Sequence, residues 1–196
     1  MTPLSFRLAD LDDVHVLLAL VEAAYRGAPT ASTWTTEAEL LGGQRVDRQM
    51  MSEAIDDADI RVIVAVAATR SAPEAAEAAD TTDAAEVIVA CCEVRTPDVA
   101  GNSVLGMFAV DPDLQGTGLG RHVLAAGERE AATLGATAVE LHVLDVRHEL
   151  LAWYDRRGYV TTDEQVPFPY GDERFGEPKR NDLRFAVLRK PLTLER

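Results

Sequence analysis

The chain has 196 residues, 47% of them hydrophobic, and a formal net charge of −14. Its length and apolar share suit one domain with a substantial core. No apolar run approaches the roughly 18 residues that a membrane-spanning helix needs. The acidic balance, with no basic stripe, argues against direct binding of nucleic-acid backbone. Cys91 and Cys92 are adjacent; they make neither a disulfide framework nor a zinc site and read as buried, reduced thiols. The first residues, Met1 to Leu8, lack the apolar centre of a signal peptide, so a cytoplasmic location is expected.

Leu4 to Leu8 reads as a first strand. Asp10, with Asp13 three residues on, caps the helix that follows. Val14, Leu17, Leu18, Val21 and Tyr25 fall on one face of that helix, and Gly27 suits its end. Residues 28–35, with Trp34, form a loop. Thr36 and Glu39 make a capping box that predicts a short helix broken at Gly42-Gly43. Asp47 to Ile55 is helical again. Ile60 to Ala67 and Glu86 to Val94 are strands, separated by an alanine- and acid-rich segment over 69–85 that reads as a flexible insertion. Ser103 to Val110 is the central strand. A helix runs from near Leu119 to Leu134, Val139 to Leu144 is a strand, and Arg147 to Arg157 a helix. A short strand over Tyr159 to Thr162 precedes a long loop, Gln165 to Asp182, and Leu183 to Leu188 closes the sheet. Hairpins mixed with a βαβ crossover predict an α/β fold with a mixed sheet.

The most informative stretch is Gly106 to Arg121. A buried strand ends at Asp111-Pro112, and glycines follow at 116, 118 and 120 before a helix begins. A strand, a glycine turn and a helix start together form an anion site: free N–H groups point outward and the helix dipole favours negative charge. The dinucleotide fingerprint fails, because its third glycine would fall at Arg121, and the P-loop ending Gly-Lys-Ser/Thr is missing. A nucleotide-binding α/β domain is therefore disfavoured.

What stands here, Gln115-x-x-Gly118-x-Gly120, resembles the acetyl-CoA pyrophosphate loop of the GNAT N-acetyltransferase superfamily, Gln/Arg-x-x-Gly-x-Gly/Ala. The later Leu151-Ala-Trp-Tyr-Asp-Arg-Arg-Gly-Tyr159 strengthens the likeness, which covers nearly the whole chain. The resemblance implies one GNAT domain over 1–196, with a mixed sheet of about seven strands flanked by about four helices. It implies acetyl-CoA as acyl donor, no metal, and an N-acetyltransferase acting on a primary amine of a small molecule or peptide, by direct attack in a ternary complex. Many members pair as homodimers. A non-catalytic acyl-CoA sensor or assembly subunit is the alternative of a different class.

Residue by residue, the resemblance assigns the free backbone edge of Phe108, Ala109 and Val110 to the pantetheine arm. Gln115, Gly116, Thr117, Gly118, Leu119 and Gly120 would hold the pyrophosphate, with Arg121 at its rim. Tyr154 is the expected general acid toward the leaving thiolate, since a phenol of pKa near 10 is protonated at neutral pH. The family often has Asn where this chain has Arg147. Glu93 is the expected general base, with Glu140 and His142 as other acid–base groups on a neighbouring strand. The acceptor pocket is expected between the loop after the first helix (Tyr25, Trp34, Glu37) and the long late loop (Phe168, Tyr170, Asp172, Glu173, Phe175). Aromatics with acids suit a cation with an apolar body.

Overall fold

A computed structural model describes residues 4–27, 36–68 and 86–193. The expected insertion over 69–85 and Trp34 lie outside the described residues. Among those described, a seven-stranded sheet has the order β1 (Leu4–Leu8), β3 (Ile60–Ala68), β4 (Glu86–Arg95), β5 (Asn102–Val110), β6 (Ala138–Leu144), β9 (Arg184–Pro191), β7 (Val160–Pro167). Every neighbouring pair is antiparallel except β5 and β6, which are parallel and joined through helix α3 (Leu119–Thr133). A two-residue strand β2 (Leu41–Gly42) pairs with β8 (Glu177–Pro178) and ties the early loop to the late one.

Helices α1 (Val14–Arg26) and α2 (Arg48–Asp56) cover one face of the sheet, and α3 and α4 (His148–Asp155) the other. The sequence pattern causes this. In α1 the three-and-four spacing of Val14, Leu17, Val21 and Ala24 makes one buried stripe. In β4 the side chains alternate, so the adjacent cysteines part: Cys91 packs under α1 and Cys92 under α3. Gly127 lets α3 come close, because a Cβ there would lie 2.5 Å from Leu105 Cδ1.

The two thiols carry a pH prediction. Both are fully buried, and burial raises both pKa values, that of Cys91 from 9.0 to about 12. The folded-state value lies above the unfolded one, so the stabilisation is fully present below about pH 9 and is lost as pH rises toward 12. Between these limits the unfolded chain has released the proton that the native chain keeps, and each thiol removes about 1.4 kcal/mol per pH unit. The expected result is a falling unfolding midpoint between pH 9 and 11, with a shallower slope in Cys91→Ala; equal slopes would remove Cys91 from the account.

Three expectations are corrected. Residues 38–40 form a turn and not a capped helix: the Glu37 N–H is taken by the Tyr25 carbonyl (2.8 Å), and Thr36 Oγ1 donates to that same carbonyl (3.0 Å) while accepting from Ala38 N–H (3.1 Å). The strand after Gly158 extends to Pro167, into the segment expected as loop; its Thr-Thr-Asp-Glu-Gln run shows no apolar alternation because β7 is an edge strand that faces water. For the same reason the last strand does not close the sheet: β9 inserts between β6 and β7. The Asp10–Asp13 box does form, on a 3-10 turn (Leu11–Asp13) that leads into α1, and Asp13 is further held by Arg7 at 2.6 Å.

Candidate active site

The site begins where β5 leaves β6. The two pair only through Asn102–Val104 against Ala138–Glu140, and from Leu105 onward they diverge. On its other side β5 stays paired with β4, but with a bulge: Met107 and Phe108 stand opposite the single Cys92. Met107 takes φ +42°, a left-handed conformation that costs a non-glycine residue about 1–3 kcal/mol and is common at functional sites. The bulge bends β5 away at the point of separation. Nothing in the sequence marks Met107, since strand propensity carries no information about positive φ.

The wedge between β5 and β6 opens into a cleft of about 1060 Å³. Gly106, Phe108 and Val110 line one wall, and Leu141, His142 and Val143 the other. Among the expected pantetheine-edge residues, Phe108 and Val110 therefore face the cleft together, while Ala109 is buried toward α1.

At the mouth, Asp111 accepts from Asp113 N–H (3.0 Å) and turns the chain. Gly116 (φ +77°) and Gly118 (φ +91°) carry the loop into α3, whose N-cap Gly118 offers no side-chain hydrogen bond to the first-turn N–H groups. These donors, the helix dipole and the Arg121 guanidinium beside Gly118 compose an anion cradle. Gln115 donates to the Val110 carbonyl (3.3 Å), leaving its own Oε1 buried without a partner, which suits a ligand that brings a donor. Gly116, Gly118, Gly120 and Arg121 line the cleft; Thr117 hydrogen-bonds its own loop at the Leu114 carbonyl (2.7 Å), and Leu119 packs into the core. Gly120 clears the way for Trp153, whose ring lies 3.4 Å from where a Cβ would sit. Gly118→Ala should destabilise the loop by about 1 kcal/mol or more through the positive φ, read as a lower denaturant midpoint.

Tyr154 lines the cleft and is nearly buried among the rings of Trp153 (5.0 Å), Tyr159 (5.6 Å) and Phe108 (6.5 Å). Burial pushes its phenol well above the ordinary value, so it stays protonated throughout the working range. Behind it, Arg157 stacks 3.5 Å over the Trp153 ring, and burial, with Arg156 next to it, lowers its pKa.

At the Tyr25 end of the cleft, Glu37 is buried with each carboxylate oxygen on an arginine: Oε1 at 3.1 Å from Arg147 and Oε2 at 3.3 Å from Arg26. Arg147, where the resemblance expects Asn, thus joins the start of α4 to a turn 110 residues earlier. Glu93 lies on the cleft wall, ion-paired to Arg95 at 2.9 Å. Glu140 bridges His142 (2.7 Å) and Arg189 (2.8 Å). Tyr25 lines the cleft beneath the Arg45 guanidinium, 4.8 Å away. Phe168 lines it from a small cluster with Leu41, Leu144 and Leu183. Tyr170 stands outside the lining; its hydroxyl accepts from Leu183 N–H (2.6 Å) and donates to the Arg180 carbonyl (3.2 Å). Asp172 is held by Arg174 at 2.6 Å. Arg45 and Arg157 escaped the sequence reading, because isolated arginines in an acidic chain read as solvated surface.

Two parallel strands that part over a glycine-rich anion cradle define an α/β protein shaped for an extended ligand with an anionic end. The chain belongs to the acetyltransferase (GNAT) family, whose model matches residues 48–159. The mycothiol acetyltransferase of Propionibacterium freudenreichii subsp. shermanii is 37% identical over 59 residues, 29% of this chain and 19% of that protein, so the match spans about a fifth of that relative. Among solved structures, yncA of Salmonella typhimurium with its cofactor acetyl-CoA superposes with TM-score 0.64 at 15% identity, covering 100% of this chain and 97% of that one. The PaiA N-acetyltransferase of Thermoplasma acidophilum in complex with coenzyme A gives 0.64 at 14%, covering 97% and 99%. These likenesses show the GNAT fold, with the expected seven-stranded sheet and four α-helices.

Proposed function

We propose that this protein is a cytoplasmic acetyl-CoA-dependent N-acetyltransferase that acetylates a primary amine of a small molecule or peptide by direct attack in a ternary complex. The observation that carries this reading is the opening between β5 and β6, which runs from the glycine cradle past Tyr154 to the Tyr25 end. Such a cleft aligns a thioester with an amine and so lowers the entropic part of the barrier. Bound acetyl-CoA supplies the activated acyl group. The cradle from Gln115 to Gly120, with Arg121, holds the pyrophosphate, and the free edge near Phe108 and Val110 lies along the pantetheine arm.

The amine nitrogen must lose a proton and the thiolate must gain one. Tyr154, kept neutral by burial, is the proton donor to sulfur. Glu93, which also lines the cleft, takes the amine proton, directly or through water. Replacing Glu93 by Gln should lower kcat at neutral pH about tenfold or more and change the acid limb of the pH–rate profile; an unaltered profile would assign the proton to another group.

The test is release of free thiol from acetyl-CoA in the presence of pooled amines: polyamines, amino acids, aminoglycosides, arylamines and short peptides. Release above the no-amine background supports the transferase. Binding of acetyl-CoA with no release on any amine would replace it with a sensor.

A further inference from the structure

Two acids expected in the acceptor pocket are already answered by the protein's own cations: Glu37 is shared by Arg26 and Arg147, and Asp172 is paired with Arg174. Glu93, the expected base, is paired with Arg95. Among the described residues, two further acids of the lining are held without a cation: Glu53 accepts from Gln49 Nε2 at 2.8 Å and Asp57 from Asp59 N–H at 2.9 Å. Arg45 remains. It lines the same cleft, and among the described residues no carboxylate lies within ion-pair distance of its guanidinium. In a chain of net charge −14, an arginine without an acid inside a cleft is a specific electrostatic choice.

The backbone presents Arg45 firmly. Glu22 of α1 accepts the N–H groups of both Arg45 and Val46, the latter at 3.0 Å, and Asp47 next along caps α2 through Met50 N–H at 2.8 Å. The guanidinium rests over the Tyr25 ring. Its centre lies 4.8 Å from the ring centroid, and a guanidinium presents a fork of N–H donors that matches a carboxylate in two parallel hydrogen bonds. Arg45, Tyr25 and Tyr154 line one cleft, so a ligand anchored at Arg45 occupies the same space that the proposed acid faces.

Resting on the transferase reading, we propose that the acceptor is an amino acid or a compound of that type, whose carboxylate is held by Arg45 while its amine meets the thioester. The step balances without a further reactant: an N–C bond forms, the C–S bond breaks, the amine proton leaves to the base or solvent, and the thiolate takes a proton to give free coenzyme A. The cationic, carboxylate-free amine suggested by the aromatics and acids of the two loops meets like charge at Arg45.

The experiment compares amino acids with their decarboxylated amines, matched in side chain, in wild type, Arg45→Met and Arg45→Lys. In the wild type, kcat/KM should favour the amino acids at least tenfold. Arg45→Met should raise the amino-acid KM about 10- to 100-fold, the loss expected of charge-assisted hydrogen bonds, and leave the KM of acetyl-CoA within about twofold. Arg45→Lys, which keeps the charge without the fork, should fall between. Equal use of both amine series by the wild type, or a preference that survives Arg45→Met, overturns the proposal while leaving the transferase in place. If no amine releases thiol, calorimetry of the same amino acids on the protein–coenzyme A complex decides: binding lost in Arg45→Met supports the carboxylate site, and its absence in wild type overturns it. That silence would count separately against the transferase.

Discussion

Replacing Tyr154 by Phe is expected to lower kcat about 100-fold, within the range that positioned acid catalysis contributes, and to leave the KM of acetyl-CoA within about twofold. The ring keeps its three aromatic neighbours, so packing is conserved and only the hydroxyl is lost. The pH profile makes the test sharper. Burial raises the pKa of this phenol, hence it remains a donor well above pH 9. An alkaline fall in wild-type rate therefore belongs to another group, and the Phe variant should show the same fall on a lower plateau. An unchanged kcat would take the acid role from Tyr154.

The second large effect concerns stability. Glu37→Ala leaves Arg26 and Arg147 facing each other without their shared carboxylate, in a place where all three side chains are only 11–12% exposed. Removing one partner of a buried ion pair costs about 3–5 kcal/mol; Arg26 keeps its hydrogen bonds to the Gly43 and Gln44 carbonyls but loses its carboxylate. The denaturant midpoint should fall accordingly, with an unchanged m-value. A double replacement, Glu37→Ala with Arg147→Ala, should recover part of the loss, since it removes one of the two like charges that the carboxylate had joined. A loss below about 1 kcal/mol in the single variant would mean that water reaches the pair and screens it.

The contrast between these two residues explains what could be read early. Tyr154 sits in a local pattern, a helix ending in Arg-Arg-Gly-Tyr, and its neighbours Trp153 and Tyr159 are close in sequence. Glu37 and Arg147 are 110 residues apart; the sequence marks each of them separately, but nothing in it pairs them until the β2–β8 pair and α4 bring them together. The same distinction separates the strands. β4 and β5, buried on both faces, announce themselves by continuous apolar runs. β7 does not, because an edge strand facing water needs no apolar pattern. The false capping box at Thr36 shows the reverse error: its residues suit a helix, but the Tyr25 carbonyl claims the Glu37 N–H and a turn is the result.

Local chemistry within a few residues was enough to specify the α/β pattern, the glycine cradle between β5 and α3, the crossover, and the phenol at the end of α4. Short-range backbone geometry and periodic burial govern those features, and both are written in consecutive residues. The opening of β5 from β6, the left-handed turn of Met107, the neutralisation of Glu37 and the isolation of Arg45 arise from the folded sheet and its loops. They depend on which charges and strand edges meet across long stretches of chain, and Coulomb interactions and hydrogen bonds at a few ångströms acquire their partners only after folding has set those distances.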